Sequence, residues 1–392
     1  MTKKTTQGEY SEVTVLAKVL YLAFELSKNS WKLGFSIGLG QNPRIRTIMA
    51  GDLAALRSEI AAAKKRIALE PDCQVVSCYE AGRDGFWLHR YLMTAGVINF
   101  VVDSASIEVN RRRRRAKADR LDVTSLIRML IRYHSHGERK VWSVVCVPSA
   151  EAEDRRHVNR ELSALTQEKT RTSNRIVALL MCQGIRLNGR LDLSGHRLES
   201  MRLWDGSPLP ENLRARLQRE WGRLVSLKQQ IAMLQRQRDK DVREQGCRPN
   251  VRPDLEKVAQ LAQLKGIGIA GASILVQEIF GWRKFQNRRQ VGSLSGLTPT
   301  PYQSGDINLE QGISKAGIRP VRAIAIELGW CWLRFQPKSK LTCWYNERFA
   351  TAGKKARKIG IVAVARKLLV ELWKYLETGA LPEGAELKAT AA

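Results

Sequence analysis

The 392-residue sequence has no run of about 18 uncharged apolar residues, so no segment reads as a membrane span. Its first residues, MTKKTTQGEYSEV, lack the apolar stretch that follows the basic residues of a secretory signal, and a soluble, cytoplasmic protein is expected. Cysteine is scarce and unpatterned. The seven residues Cys73, Cys78, Cys146, Cys182, Cys247, Cys331 and Cys343 contain no C-x-x-C pair, which argues against a disulfide framework and a zinc site. Reduced and mostly buried thiols are expected. Only five histidines occur, and the close pair His134 and His136 has no carboxylate or thiol at ligand spacing. No G-x-x-x-x-G-K-[ST] phosphate loop is present.

Acidic residues are the minority charge: 38 Asp and Glu stand against 66 Lys and Arg, a formal net charge of +28. An excess of this size repels itself, and its usual purpose is to neutralise the phosphates of a polyanion with release of counterions. Nucleic acid is the leading partner. The cations run from Arg111 to Lys367, which suggests a track over several domains and not a terminal arm. No stretch joins a basic face to exposed Trp and Leu as a membrane-surface helix would.

The patterning divides the chain into three regions, α/β followed by α. Over 15–150, VLYLAFELS and WKLGFSIG read as a hairpin, LAALRSEIAAAKKRIAL as a helix, QVVSCYE as a buried strand and FWLHRYLMTAG as a helix closing at Gly96. INFVV, the helical RAKADRLDVTSLIRMLIRYH and a last strand VWSVVCV complete a mixed sheet with helices on both faces. Over 151–245, apolar residues at 3–4 spacing (Leu162, Leu165, Ile176, then Leu217, Leu224, Ile231) predict two long helices, which fold back on each other or extend to a partner chain. QGCRPNVRPD reads as a linker into a mainly helical region over 254–380, and the terminal ELKATAA is expected to be disordered.

Four carboxylates fall at element ends of the first region: Glu25, Glu80, and the pair Asp119 and Asp122. The i, i+3 spacing of the last two places both on one helical face, from which they can converge with the strand-end acids. Such a cluster needs cations to neutralise it, and Mg²⁺ accepts carboxylate oxygens; Mn²⁺ is a substitute. Two ions about 4 Å apart can bind the attacking and leaving oxygens of a phosphodiester. The competing reading is four solvated surface acids. The run Arg111, Arg112, Arg113, Arg114 and Arg115 directly precedes the Asp119 helix, where guanidinium forks can hold phosphates.

In the third region, LKGIGIAG places Gly266 and Gly268 in a G-x-G turn between helices, as in a helix–hairpin–helix element whose backbone approaches a phosphate. Simple helix punctuation is the alternative. GLTPTPYQSGD reads as a loop that exposes Ser304 beside Gly305, an arrangement that leaves a nucleophile unhindered, although taken alone Ser304 reads as a plain turn serine. Ser314 in GISKAG competes with it, although Lys315 and Gly317 fit better as a phosphate-binding turn. KKARKIGIVAVARKLL sets Lys354, Lys355, Arg357 and Lys358 off an apolar helical face, and DNA or RNA contact is expected there. Trp330, Trp332 and Trp344 read as core side chains before base-stacking ones.

Glu25, the CYEAG segment with Glu80, AKADRLDV, VPSAEAEDRRHVNREL, GIGIAGASILVQEI, GLTPTPYQSG and GISKAGIRPVR stand in an order that resembles the IS110 family of insertion-sequence transposases, in its IS-eleven-eleven branch. The resemblance implies an RNase H-like (RuvC-like) first domain, a coiled-coil middle that dimerises, and a C-terminal transposase domain. It implies that Glu25, Glu80, Asp119 and Asp122 are the metal-holding tetrad, with Glu25 where the family usually has the shorter Asp. It makes Ser304 the nucleophile, in a composite site built by different subunits. Element DNA, target DNA and a structured bridge RNA are the implied partners, in the bacterial nucleoid. Two rivals remain: a junction resolvase that uses water and the tetrad alone, and a DNA-binding scaffold without activity.

Overall fold

Leu20–Leu26 (β1) and Ser30–Ser36 (β2) form an antiparallel hairpin, extended by Arg44–Met49 (β3), which also runs antiparallel to β2. The computed structural model describes residues 18–82, 85–107, 119–187, 189–246, 248, 252–304 and 307–389; for 119–121, 302–304 and 307–311 it describes the backbone. Leu53–Arg66 (α1) starts at Asp52, whose carboxylate accepts the Ala55 N–H at 2.8 Å, and ends in Lys64, Lys65 and Arg66, cations that suit the negative end of the helix dipole. Val75–Glu80 (β4) then returns parallel to β1. Trp87–Thr94 (α2) follows, and Ile98–Val102 (β5) lies parallel to β4. The sheet order is β3-β2-β1-β4-β5. Asp119–Ser135 (α3) is the last helix of this unit, residues 1–147.

Strand alternation sends Leu20, Leu22 and Phe24 to the face covered by α1 and α2, where Leu56, Leu88 and Leu92 meet them. Tyr21 and Ala23, with Val76 and Cys78, face Val123, Leu126, Ile127 and Leu130 of α3. β1 is therefore buried on both sides. Burial also pushes the Cys78 thiol well above its ordinary range.

The second unit, residues 148–392, begins with Ala150–Asp154 (α4) and the 26-residue Arg156–Met181 (α5). After Arg197–Ser200 (α6) comes the 35-residue Glu211–Gln245 (α7). Leu162 and Leu165, early in α5, pack on Leu227 and Ile231, while Ile176 and Leu180, late in α5, pack on Leu217 and Leu224. The reversed order makes α5 and α7 an antiparallel pair, which answers the question that periodicity left open. Arg175 reaches across to Glu220 at 2.8 Å.

Pro253–Ala262 (α8), Ile269–Leu275 (α9), Arg288–Leu294 (α10), Arg319–Phe335 (α11), Lys340–Tyr345 (α12) and Lys354–Thr378 (α13) form the helical remainder. Its core joins Val258, Leu275, Val291, Val321, Leu328, Leu368 and Leu372. The base of α5 is fastened to it: Arg160 donates twice to the buried Glu278, at 3.1 and 3.3 Å, and Asn159 Nδ2 donates to Gln277 Oε1 at 2.6 Å. Among the described residues, no helix is long and apolar enough to cross a membrane.

Several expectations are corrected. VWSVVCV is not a strand; it meets β5 through an isolated bridge between Val102 and Val144 and bonds such as Val145 N–H to Val101 O at 2.8 Å. Val141 and Trp142 turn instead into the α3 core, which breaks the alternation a strand requires. β3 escaped detection because three arginine and threonine residues interrupt its apolar pattern. The start of ELKATAA is ordered: Lys388 Nζ donates to the carbonyls of Ala262 (2.6 Å) and Ile267 (2.8 Å), groups that a helix end and turn leave without partners. The thiols are not mostly buried, since Cys146, Cys182 and Cys343 are exposed. Trp332 is a core side chain, but Trp330 is 48% exposed on the opposite face of α11.

Candidate active site

Phe24 pairs with Tyr79 across the parallel strands β1 and β4, so the next residues along, Glu25 and Glu80, stand at the same level at the strand ends. Alternation from Ala23 and Cys78 puts both on the face that α3 covers. The direction of α3 follows from three contacts. At its C-terminus, His134 Nδ1 (3.2 Å) and the Ser135 hydroxyl bond to the hydroxyl of Tyr21, at the start of β1. In its middle, the Cys78 thiol donates to Leu126 O at 3.9 Å. Towards its N-terminus, Val123 lies against Gly34, where an added Cβ would come within 2.3 Å of Val123 Cγ1. Hence α3 runs opposite to β1. Its first turn, bearing Asp119 and Asp122, comes to the sheet end that carries Glu25 and Glu80.

Glu25 and Asp122 are half-buried and Glu80 is exposed. The Asp119 side chain lies outside the described residues, as does the run Arg111–Arg115. Among the described residues, no three His, Cys, Asp or Glu side chains stand close enough to share one ion. The donor type nevertheless fits Mg²⁺, since all four are hard carboxylate oxygens. The hairpin register adds one residue that the motif reading passed over: Lys32 of β2 is directly opposite Glu25. Only the turn length, which sets the register, signals it in the sequence.

Ser304 is not in a loop but is the last residue of Pro299–Ser304 (β6), paired with Ile307 at the start of Ile307–Ile313 (β7). The prolines that suggested a loop are accommodated because a two-stranded ribbon has only edge strands, and the register shifts between Pro299 and Pro301. Ser314 lies beyond β7, half-buried, its N–H bonded to Thr298 O at 2.9 Å. Lys315 is exposed, with φ 54, and its carbonyl accepts from Arg322 Nη1 at 3.0 Å. Gly317, φ 123, passes so close to α10 that a Cβ would meet Leu294 O at 2.3 Å.

In the G-x-G turn, Gly266 (φ +81) is closed in by α11, a Cβ there meeting Cys331 O at 3.1 Å, whereas open space lies beside Gly268. Lys354, Lys355, Arg357 and Lys358 are all exposed in the first turns of α13.

The family model described as "Transposase IS116/IS110/IS902 family" matches residues 258–343, from α8 through the hairpin to α12. A putative transposase of Sinorhizobium fredii, y4rJ, is 40% identical over 378 residues, 94% of either chain. The chain belongs to the IS110 family of transposases. A second Sinorhizobium fredii putative transposase, y4qE, is 27% identical over 76% of this chain and 68% of its own. The transposase for insertion sequence element IS1328 of Yersinia enterocolitica is 24% identical over 48% of this chain and 53% of its own. Since the similarity to y4rJ spans both units, the carboxylate face and the β6–β7 hairpin belong to one transposase chain.

Proposed function

We propose that this transposase cuts and rejoins DNA at the ends of its own insertion sequence, using Glu25, Glu80, Asp119 and Asp122 as a metal-holding tetrad and Ser304 as nucleophile. The observation that carries the reading is the level placement of Glu25 and Glu80 on the α3 face of a β3-β2-β1-β4-β5 sheet. That order, with β2 antiparallel and β4 and β5 parallel to β1, supports an RNase H-like first domain.

In this reading the Ser304 hydroxyl attacks phosphorus, a DNA oxygen leaves with a proton, and the phosphodiester is conserved as a phosphoserine link. A hydroxyl of another DNA strand then attacks the same phosphorus and releases Ser304 with its proton. No external energy source is required. Mg²⁺ on the four carboxylates supplies positive charge to the phosphoryl oxygens as negative charge develops there. The serine and the tetrad come from different subunits of a homo-oligomer, and the α5–α7 pair is the dimerising coiled coil.

A structured RNA encoded beside the protein guides the reaction, so base pairing reads sequence while Lys and Arg hold backbone. The nucleic-acid contacts assigned are Arg111–Arg115, the G-x-G turn at Gly266 and Gly268, Lys315, and Lys354, Lys355, Arg357 and Lys358. Purification from cells that carry the flanking DNA, followed by sequencing of bound nucleic acid, tests the guidance. One structured noncoding RNA from beside the coding sequence is expected; heterogeneous RNA or bare DNA would contradict it. Ser304→Ala separates this chemistry from a water-using nuclease, which would keep cleaving.

A further inference from the structure

One cavity, of about 570 Å³, is lined by the exposed face of α11 and the start of α13. Its volume lies within the roughly 300–1,000 Å³ of small-ligand sites. Trp330, 48% exposed, and Tyr345 give it aromatic walls, and Arg334, Lys354, Arg357 and Lys358 give it four cations. The segment between Tyr345 and the cavity-lining Ala350 is a π-helical turn, Asn346–Ala350, a wide geometry that recurs at functional sites. The first turn of α13 has no acidic residue, so its cations lie at the positive end of the helix dipole, which is unfavourable unless an anion sits among them.

An aromatic surface beside clustered cations is complementary to a planar base beside its phosphate. A base paired in a duplex keeps its faces stacked on its neighbours and cannot present one to Trp330. We propose that this cavity takes an unpaired nucleotide of a single-stranded segment, its base stacked on Trp330 and its phosphates held by Arg334, Lys354, Arg357 and Lys358. The proposal rests on the nucleic-acid reading above and adds a defined site and strand state to it. A guide RNA loop and a single-stranded DNA end share this chemistry.

The test measures affinity of the full-length protein for a 12-nucleotide oligo-dT, an oligo-U of the same length and a 12-base-pair duplex. Wild type, Trp330→Ala, Trp330→Phe and the triple variant Lys354→Gln/Arg357→Gln/Lys358→Gln are compared. Trp330→Ala is expected to weaken oligo-dT or oligo-U binding about tenfold, as loss of one stacked base does, with duplex binding changed less than about twofold. Trp330→Phe should recover most of the loss. The triple variant should lower the slope of log affinity against log salt by about two on single strands. Because Trp330 is half-exposed, the Phe variant separates stacking from loss of fold. Tighter oligo-U binding assigns the site to RNA, and tighter oligo-dT binding assigns it to DNA. Unchanged affinity in Trp330→Ala, or an equal loss on duplex, would overturn the proposal; binding of none of the three by wild type would overturn the nucleic-acid reading itself.

Discussion

Glu25 and Glu80 occupy the same level at the ends of two parallel strands, one register step beyond the Phe24–Tyr79 pair. Neighbouring parallel strands lie about 4.8 Å apart, so two carboxylates are held at close quarters by backbone bonds alone. Repulsion between them is tolerated if cations or the opposing Lys32 balance it.

Removing charge without volume should therefore stop chemistry and spare the fold. Glu80→Gln and Asp122→Asn are each expected to lower DNA strand cleavage at least about 100-fold, the scale of losing one electrostatic contribution to a transition state. Thermal unfolding should stay within about 2 °C of wild type, because Glu80 is exposed and Asp122 half-buried. Glu25→Asp, which shortens the side chain by one methylene and keeps the carboxylate, should retain cleavage where Glu25→Gln does not. A cleavage assay with the four purified variants at fixed Mg²⁺ checks these expectations.

At Gly34, α3 comes close to the sheet. A Cβ there would overlap Val123 Cγ1 and lie 3.2 Å from Ile127 Cδ1, so Gly34→Ala should destabilise the first unit by about 1–3 kcal/mol. Denaturant unfolding measures this. The double variant Gly34→Ala/Val123→Ala should recover much of the loss, since it removes the obstructing methyl groups.

The first unit should also weaken in mild acid. Burial first, then the Arg139 charge, holds the His134 imidazole below its ordinary value of 6.5, and burial with Arg90 does the same to His89. The folded state then binds fewer protons than the unfolded chain, so stability is full above about pH 6.5 and declines as pH falls from there through the folded values. Unfolding midpoints between pH 5 and 8 should show this slope, and His134→Gln should flatten part of it.

Lys388 closes the third region by donating to two carbonyls of the α8–α9 connection. Lys388→Met keeps the stem and removes the donors. It should cost about 1–3 kcal/mol, read as a lower unfolding midpoint.

Much of this was legible because burial and chemistry coincide in the sequence. QVVSCYE carries Val75, Val76, Cys78 and Tyr79 ahead of its final acid, so both the strand and Glu80 were visible; Glu25 near the end of its apolar run and the helical segment that contains Asp119 were visible for the same reason. The α5–α7 periodicity marked two helices but not their partner, since a stripe of Leu serves an internal or an external mate equally. β3 was hidden by Arg44, Arg46 and Thr47, side chains that half-exposed strands tolerate. The hairpin carrying Ser304 was hidden by its prolines. The role of Lys388 and the exposure of Trp330 depend on contacts 121 and more residues apart, or on which helical face is covered, and local pattern carries neither.

The serine is the centre of the account, and a covalent link is its direct signature. Labelled element-end DNA would be incubated with Mg²⁺, the copurified RNA and the full-length protein, then denatured and digested for peptide mass mapping. The expected result is label that migrates with the wild-type protein and maps to a phosphoserine link at Ser304, absent in Ser304→Ala while DNA binding persists. Cleavage by wild type to free DNA ends with no protein adduct, unchanged in Ser304→Ala, would contradict it and assign the reaction to water and the carboxylates alone.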